Sequence, residues 1–153
     1  VENMGFMGIM MNFNAERLGL AIQACGLARV CLAQSVEYAK NRQTFGKPLI
    51  KHQVIRHKLT EMQMKIQASY AYLYETARLV QLGKMPIVNL CLLKNMSTDT
   101  LEFCANQAVQ IFGGAGFMEG TLVERIYRET KVLSIGGGAT EIMFDLAARQ
   151  QGW

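Results

Sequence analysis

The chain has 153 residues, half of them hydrophobic, which suffices for one domain with a substantial core. Sixteen Lys and Arg against twelve Asp and Glu leave a net charge of +4, and no long basic run occurs, which argues against a nucleic-acid partner. No apolar run approaches the ~20 residues that cross a bilayer, so we expect no membrane span.

The spacing of apolar residues by three and four predicts helices along most of the chain, each with an apolar stripe that faces the core. The stripe of the first helix consists of Leu18, Ile22, Cys25, Ala28, Leu32, Val36 and Ala39, and that of the third consists of Leu90, Leu93, Ser97, Leu101, Cys104, Ala108 and Ile111. Asn12 and Asn14 are candidate N-caps of the first helix. No useful stretch alternates with period two, so we expect an all-α fold, an up-down helical bundle. The predicted helices cover approximately residues 14–41, 50–82, 86–112, 119–131 and 139–150.

The cysteines and histidines show no metal-binding spacing. His52 and His57 have no cysteine partners, and no CxxC pair occurs. We therefore expect no metal site. Free thiols buried in helices are predicted for Cys25, Cys31, Cys91 and Cys104.

Two glycine clusters interrupt the helical pattern, at residues 110–117 and 135–142. Glycine costs about 1 kcal/mol relative to Ala inside a helix, so six glycines in two short runs indicate loops. Glycine permits positive φ and lets another group approach the backbone closely. The clusters are either helix stops or parts of a ligand site, and their pairing favours the ligand site.

Four segments in series carry a family resemblance: residues 41–49, 110–117, 123–129 and 135–142. Together they resemble the C-terminal helical domain of acyl-CoA dehydrogenases. Residues 2–6 are similar to that family's crossing out of its middle domain. The resemblance thus implies a crossing segment over residues 1–13, from a middle domain absent here, and a helical bundle domain over 14–153.

Members of that family use bound FAD to oxidise the α,β bond of an acyl-CoA thioester. The resemblance implies an acyl-CoA substrate, a homodimer or homotetramer, and an electron-transfer flavoprotein that accepts the electrons. It implies the bacterial cytoplasm or the mitochondrial matrix without deciding between them. An acyl-CoA oxidase, or a non-catalytic helical oligomerisation module that has kept the motifs, are the alternatives.

The same resemblance implies the residues that contact FAD. Arg42 would offer a planar, permanently charged group to the pyrophosphate of a neighbouring subunit's cofactor. Gly113 and Gly114 would let the backbone approach the dinucleotide. The implied cofactor-binding residues are Arg42, Gln43, Thr44, Phe45, His52, Gln53, Gln110, Ile111, Phe112, Gly113, Gly114, Ala139, Thr140 and Glu141.

The position of the catalytic base distinguishes subgroups of the family. Many members have the glutamate at the position held here by Gly137, which has no side chain. Isovaleryl-CoA and long-chain dehydrogenases instead have it before an Arg on the first long helix, as in Glu16-Arg17. Glu16 is the predicted base, although a first-turn acid favoured by the helix dipole would also fit the position.

The remaining predicted roles surround that base. The backbone N–H of Gly137 would donate to the thioester carbonyl, where negative charge develops. Arg17 resembles the residue that interacts with the CoA portion of the substrate. Asn14 and Gly138 are the other predicted substrate-binding residues.

Overall fold

The computed structural model describes residues 4–153, and its architecture is helical. This confirms the predicted fold class. One small exception is an antiparallel ladder of two-residue strands, β1 (Gln43–Thr44) and β2 (Lys47–Pro48), followed by a single 3-10 turn. The helices are α1 (Gly5–Asn41), α2 (Gln53–Gln81), α3 (Ile87–Phe112), α4 (Gly114–Phe117), α5 (Leu122–Ile135) and α6 (Thr140–Gln150).

Helix α3 is the centre of the bundle and packs against α1, α2, α5 and α6. Side-chain contacts show the relative directions of the three long helices. The Cys25 thiol bonds Ser97 across α1 and α3. Across α2 and α3, Lys58 donates to Gln107 and Ser69 bonds Thr100, so residue numbers rise along α2 as they fall along α3. Tyr38 near the end of α1 contacts Phe112 at the end of α3. Helices α1 and α3 therefore run in the same direction and α2 runs against them, as in an up-down arrangement.

The apolar stripe predicted on α3 is buried as expected, whereas the stripe on α1 differs from the prediction. Ile22 was expected in the core but is 53% exposed. The buried face of α1 consists instead of small side chains, which let α1 and α3 approach closely. These buried small residues are Ala21, Ala24, Cys25, Ala28, Cys31, Ser35 and Ala39.

The predicted start of the first helix near residue 14 is wrong, because α1 begins at Gly5. Both candidate caps are used inside the helix. Asn12 donates to Glu16, and Asn14 accepts from Arg17, so neither side chain caps a terminus. Residues 1–3 of the predicted crossing segment lie outside the described part of the chain. The connection of residues 1–13 to a preceding domain stays a prediction.

Helix α1 is also long and apolar enough to cross a bilayer by length and composition alone. Its mean hydropathy over the most apolar window is 1.3. In the structure its small-residue face lies against α3, as in a core helix.

Candidate active site and cofactor surface

The second glycine cluster forms a tight turn between α5 and α6, which we call the glycine turn (residues 136–138). Gly137 has a φ of 68° and Gly138 a φ of 120°, values that side chains rarely allow. A Cβ at Gly137 would lie 2.9 Å from Leu20 Cδ1. The conformation of the turn therefore requires these glycines, which do more than end α5.

Side chains from α1 and α3 hold the carbonyl groups of this turn. The Arg17 Nε donates to the Gly137 carbonyl at 3.0 Å. The Lys94 ammonium donates to the Gly138 carbonyl at 2.8 Å and also to the carbonyl of Ser134. Thus three carbonyls in and beside the turn are bound by cations from two different helices.

In contrast to these carbonyls, two N–H groups in and beside the turn have no hydrogen-bond partner in the described part of the chain. Among residues 4–153, no acceptor takes the N–H of Gly137 or of Ala139. A buried N–H without a partner is costly, so half-buried groups such as these suit an external acceptor. The turn can therefore donate hydrogen bonds to an oxygen atom of a ligand.

Both cations near the turn are buried. Arg17 is 6% exposed and Lys94 is fully buried. Within the described residues, neither forms a salt bridge with a carboxylate. Burial lowers the pKa of Lys94 through desolvation, against which Asp99 acts in the opposite direction. The turn thus lies beside two positive charges that have no direct counter-ion.

Glu16 lies on a different face of α1 from its neighbour Arg17. Its side chain is exposed and accepts a hydrogen bond from Asn12 at 2.6 Å. Because α1 begins at Gly5, Glu16 is not in the first turn, and the helix-dipole explanation of this acid is wrong. Arg17 faces inward instead, where Asn14 accepts from its Nη1 at 2.9 Å. Arg17 therefore contacts the glycine turn, and its predicted contact with CoA stays a prediction.

A second group of predicted residues lies in the loop after α1. Arg42 follows the last residue of that helix and is exposed, and its guanidinium forms no salt bridge within the described part of the chain. Phe45 is 95% exposed at a φ of 48°. Thr44 Oγ1 lies 3.0 Å from His52 Nε2, which ties the loop to the start of α2. Gln43 and Gln53 are exposed beside them.

The first glycine cluster lies at this same end of the bundle. Tyr38 stacks on Phe112, with ring centroids 4.1 Å apart, and donates to the Phe112 carbonyl at 3.2 Å. The next residue, Gly113, has a φ of 61°, and a Cβ there or at Gly114 would point into open space. Gln110 is exposed, whereas the Ile111 side chain lies in the core.

The two glycine clusters are far apart on one chain. Tyr38 follows Arg17 by 21 residues on the continuous helix α1, which corresponds to about 31 Å of axial rise. Thr140 and Glu141 lie beside the glycine turn, at the start of α6. Asn95, next to Lys94 on α3, donates to the Thr140 carbonyl at 2.9 Å. The structure therefore divides the predicted cofactor residues between two surfaces.

The residues not identified from the sequence are Lys94 and Asn95 of α3, which bind the carbonyls of Gly138 in the glycine turn and of Thr140 at the start of α6. A usable signal was present, since Lys94 directly follows the apolar run at residues 90–93 of the central helix. A lysine within the buried stripe of a helix needs acceptors, and its position pointed to a polar partner in the core.

Comparisons with known proteins identify the family and the fold of the chain. Residues 3–152 match the family described as acyl-CoA dehydrogenase, C-terminal domain. The chain belongs to the acyl-CoA dehydrogenase family. The short-chain specific acyl-CoA dehydrogenase of Megasphaera elsdenii is 40% identical over 92% of the chain and 37% of that protein.

Solved acyl-CoA dehydrogenase structures share the same fold. Butyryl-CoA dehydrogenase from Megasphaera elsdenii superposes with a TM-score of 0.96 at 37% identity, over all of this chain and 40% of that one. A chain from a structure described as the electron transferring flavoprotein of Acidaminococcus fermentans gives 0.95 at 32% identity, over 99% of this chain and 40% of that one. The chain thus spans about two fifths of the acyl-CoA dehydrogenase relatives that it matches.

Proposed function

We propose that this chain is the C-terminal domain of a FAD-dependent acyl-CoA dehydrogenase, which oxidises the α,β bond of an acyl-CoA thioester. The observation that carries the proposal is the glycine turn. Its Gly137 N–H has no acceptor among residues 4–153, and the cations of Arg17 and Lys94 bind the carbonyls of Gly137 and Gly138. This arrangement suits a thioester carbonyl oxygen that gains negative charge when the α-proton leaves.

Glu16 is the proposed base. Its carboxylate is exposed on α1 next to Arg17, whose guanidinium reaches the glycine turn, and Gly137 has no side chain that could act in its place. The α C–H bond breaks, the proton moves to Glu16, and the electron pair shifts toward the thioester oxygen at the Gly137 N–H. With Glu16 as the base, the proposed enzyme would belong to the subgroup with the base on the first long helix.

The residues present fit FAD on two surfaces. The exposed guanidinium of Arg42 and the open backbone at Gly113 and Gly114 suit a pyrophosphate group, and Phe45 offers an exposed aromatic wall. Bound FAD would supply the acceptor for the β-hydrogen, which leaves as hydride. Ala139, Thr140 and Glu141 would contact the cofactor beside the glycine turn.

The separation of the two surfaces supports a homodimer or homotetramer. With about 31 Å of α1 between them, one chain would use Arg42 and Gln110 on its neighbour's cofactor and the glycine turn on its own. An electron-transfer flavoprotein is the proposed electron acceptor. A similar chain occurs in the structure described as the electron transferring flavoprotein of Acidaminococcus fermentans, which supports this proposal.

The test of the function uses the full-length enzyme with its flavin, mixed anaerobically with straight and branched acyl-CoAs. We expect at least one of them to bleach the visible flavin absorbance. Absence of bleaching with every acyl-CoA would refute the function and leave a non-catalytic module. Faster reoxidation by oxygen than by an electron-transfer flavoprotein would identify an oxidase instead.

Replacement of the base tests the assignment of Glu16. Glu16→Gln keeps the size and hydrogen-bonding capacity of the side chain but removes the proton acceptor, so flavin reduction should slow by at least ~100-fold while acyl-CoA still binds. Glu37→Gln is the matched control, since Glu37 is also exposed on α1. A wild-type rate in Glu16→Gln would mean that the base lies elsewhere.

A further inference from the structure

We propose that Lys94 is a positioning residue that holds the glycine turn in the conformation needed for the thioester oxygen. The inference rests on the proposed function, because it concerns the same site. Among residues 4–153, Lys94 forms no hydrogen bond with Glu16 or with the side chain of a predicted cofactor residue. It acts through the carbonyls of Ser134 and Gly138, which lie on either side of Gly136 and Gly137.

The ammonium of Lys94 joins the end of α5 to the start of α6. Ser134 is in the last turn of α5, where unpaired carbonyls favour a cation. Gly138 directly precedes Ala139, the residue at which α6 starts without a side-chain cap. One buried side chain on the central helix thereby sets the distance between the two ends of the turn.

Two cations restrain successive peptide groups of the turn from different sides. Arg17 on α1 binds the Gly137 carbonyl and Lys94 on α3 binds the Gly138 carbonyl. Rotation of either peptide would remove one of the two acceptors of a buried cation, which is unfavourable. The Gly138 carbonyl and the Ala139 N–H belong to one planar peptide group, so the contact with Lys94 fixes the direction of the Ala139 N–H directly. The Gly137 N–H belongs to the preceding peptide group and is restrained through its neighbour, whose carbonyl Arg17 binds.

The charge of Lys94 adds to this restraint. The charged and titratable groups around it are Asp99, Arg17, Cys91 and Glu141, and none of them makes a salt bridge with it in the described chain. The surroundings of the turn thus keep a positive charge behind the N–H groups. An anion that forms in front of them is stabilised by this charge more strongly than it would be in water.

The test compares Lys94→Met and Lys94→Gln with Ser69→Ala in the full-length enzyme. Methionine removes both the donors and the charge, whereas glutamine keeps one neutral donor. Ser69→Ala also breaks a buried hydrogen bond to α3, at Thr100, but leaves the turn untouched. Amide hydrogen exchange over residues 135–140 is the readout that does not depend on activity.

We expect exchange over residues 135–140 to accelerate at least tenfold in Lys94→Met, less in Lys94→Gln, and not at all in Ser69→Ala. Flavin reduction should slow by about 10- to 100-fold in Lys94→Met, because the N–H groups that face the thioester oxygen would be misplaced. The affinity for acyl-CoA should change little. A 3-thia-acyl-CoA, which ionises at its α-carbon but cannot be dehydrogenated, should ionise at higher pH in this variant.

Unchanged exchange in the turn, or an unchanged ionisation and reduction rate, would overturn the role of Lys94. Failure of the proposed function has a different signature. In that case none of the acyl-CoAs reduces the flavin of the wild-type enzyme. The exchange data alone then decide whether Lys94 holds the turn.

Discussion

At the scale of single residues, burial explains the state of the cysteines. All four are free and buried, in agreement with the prediction from their apolar surroundings. Burial raises the pKa of the Cys31 thiol and of the Cys104 thiol to about 12, chiefly by desolvation of the charged form. Both thiols therefore stay protonated near neutral pH and are poor nucleophiles.

These raised pKa values predict a pH dependence of stability. An unfolded chain releases the two protons near the ordinary pKa of 9.0, whereas the folded chain retains them up to about 12. The unfolded state then binds fewer protons in this window, so the free energy of unfolding falls as pH rises from about 9 to about 12. Urea unfolding at several pH values measures this slope. The double variant Cys31→Ala, Cys104→Ala should have a shallower slope, and an unchanged slope would exclude these thiols as its source.

At the scale of elements, the junction between α3 and α4 depends on one close approach. A Cβ at Gly116 would lie 2.7 Å from Phe112 Cβ and 2.9 Å from the Val109 carbonyl oxygen, so the short helix α4 has to shift for any other residue. Because Phe112 also stacks on Tyr38, this junction ties the first glycine cluster to α1. The contacts of Phe112 with Gly116 and Tyr38 thus position Gly113 and Gly114, which lie between Phe112 and Gly116 in the chain.

We expect Gly116→Ala to destabilise the protein by about 1–3 kcal/mol, through overpacking at the junction. Gly26→Ala in α1 is the control, since its Cβ meets nothing within 4 Å. That change should stabilise the helix by about 0.5–1 kcal/mol. Denaturant unfolding of both variants measures the difference, and equal stabilities would contradict the close packing at Gly116.

At the scale of the whole molecule, the separation of the two surfaces predicts sites shared between subunits. A chain with Glu16→Gln keeps its Arg42, and a chain with Arg42→Ala keeps its Glu16. In a mixed dimer, one site then combines an intact Glu16 with an intact Arg42 from the other chain. Either homodimer should be impaired, the Arg42 variant through weaker retention of FAD after loss of a charged contact worth ~1.5–3 kcal/mol.

Co-expression of these two variants should therefore recover activity that neither possesses alone. Differently tagged chains allow the mixed dimer to be isolated, and its flavin reduction measured for each site. The control is a dimer of one wild-type chain and one chain that carries both changes. Each of its two sites lacks either Glu16 or Arg42. No recovery in the mixed dimer would place Glu16 and Arg42 at the site of the same chain.

The sequence by itself determined the helical fold class, the three long helices apart from the start of α1, and the locations of the two glycine clusters. Apolar periodicity is strong in α3, where the helix is buried on several sides, and its predicted stripe lies in the core. The start of α1 was missed, because Asn12 and Asn14 match the composition of caps, whereas their side chains bond Glu16 and Arg17 within the helix.

Only the tertiary structure decided how the glycine turn is held and how the site is divided. The contacts of Arg17 with Gly137 and of Lys94 with Gly138 join residues 120 and 44 positions apart. Local pattern contains no information on such pairs, since they depend on how α1, α3 and the α5–α6 connection pack. The distance between the two glycine clusters likewise follows from the length and continuity of α1, whose first turns no local signal predicted.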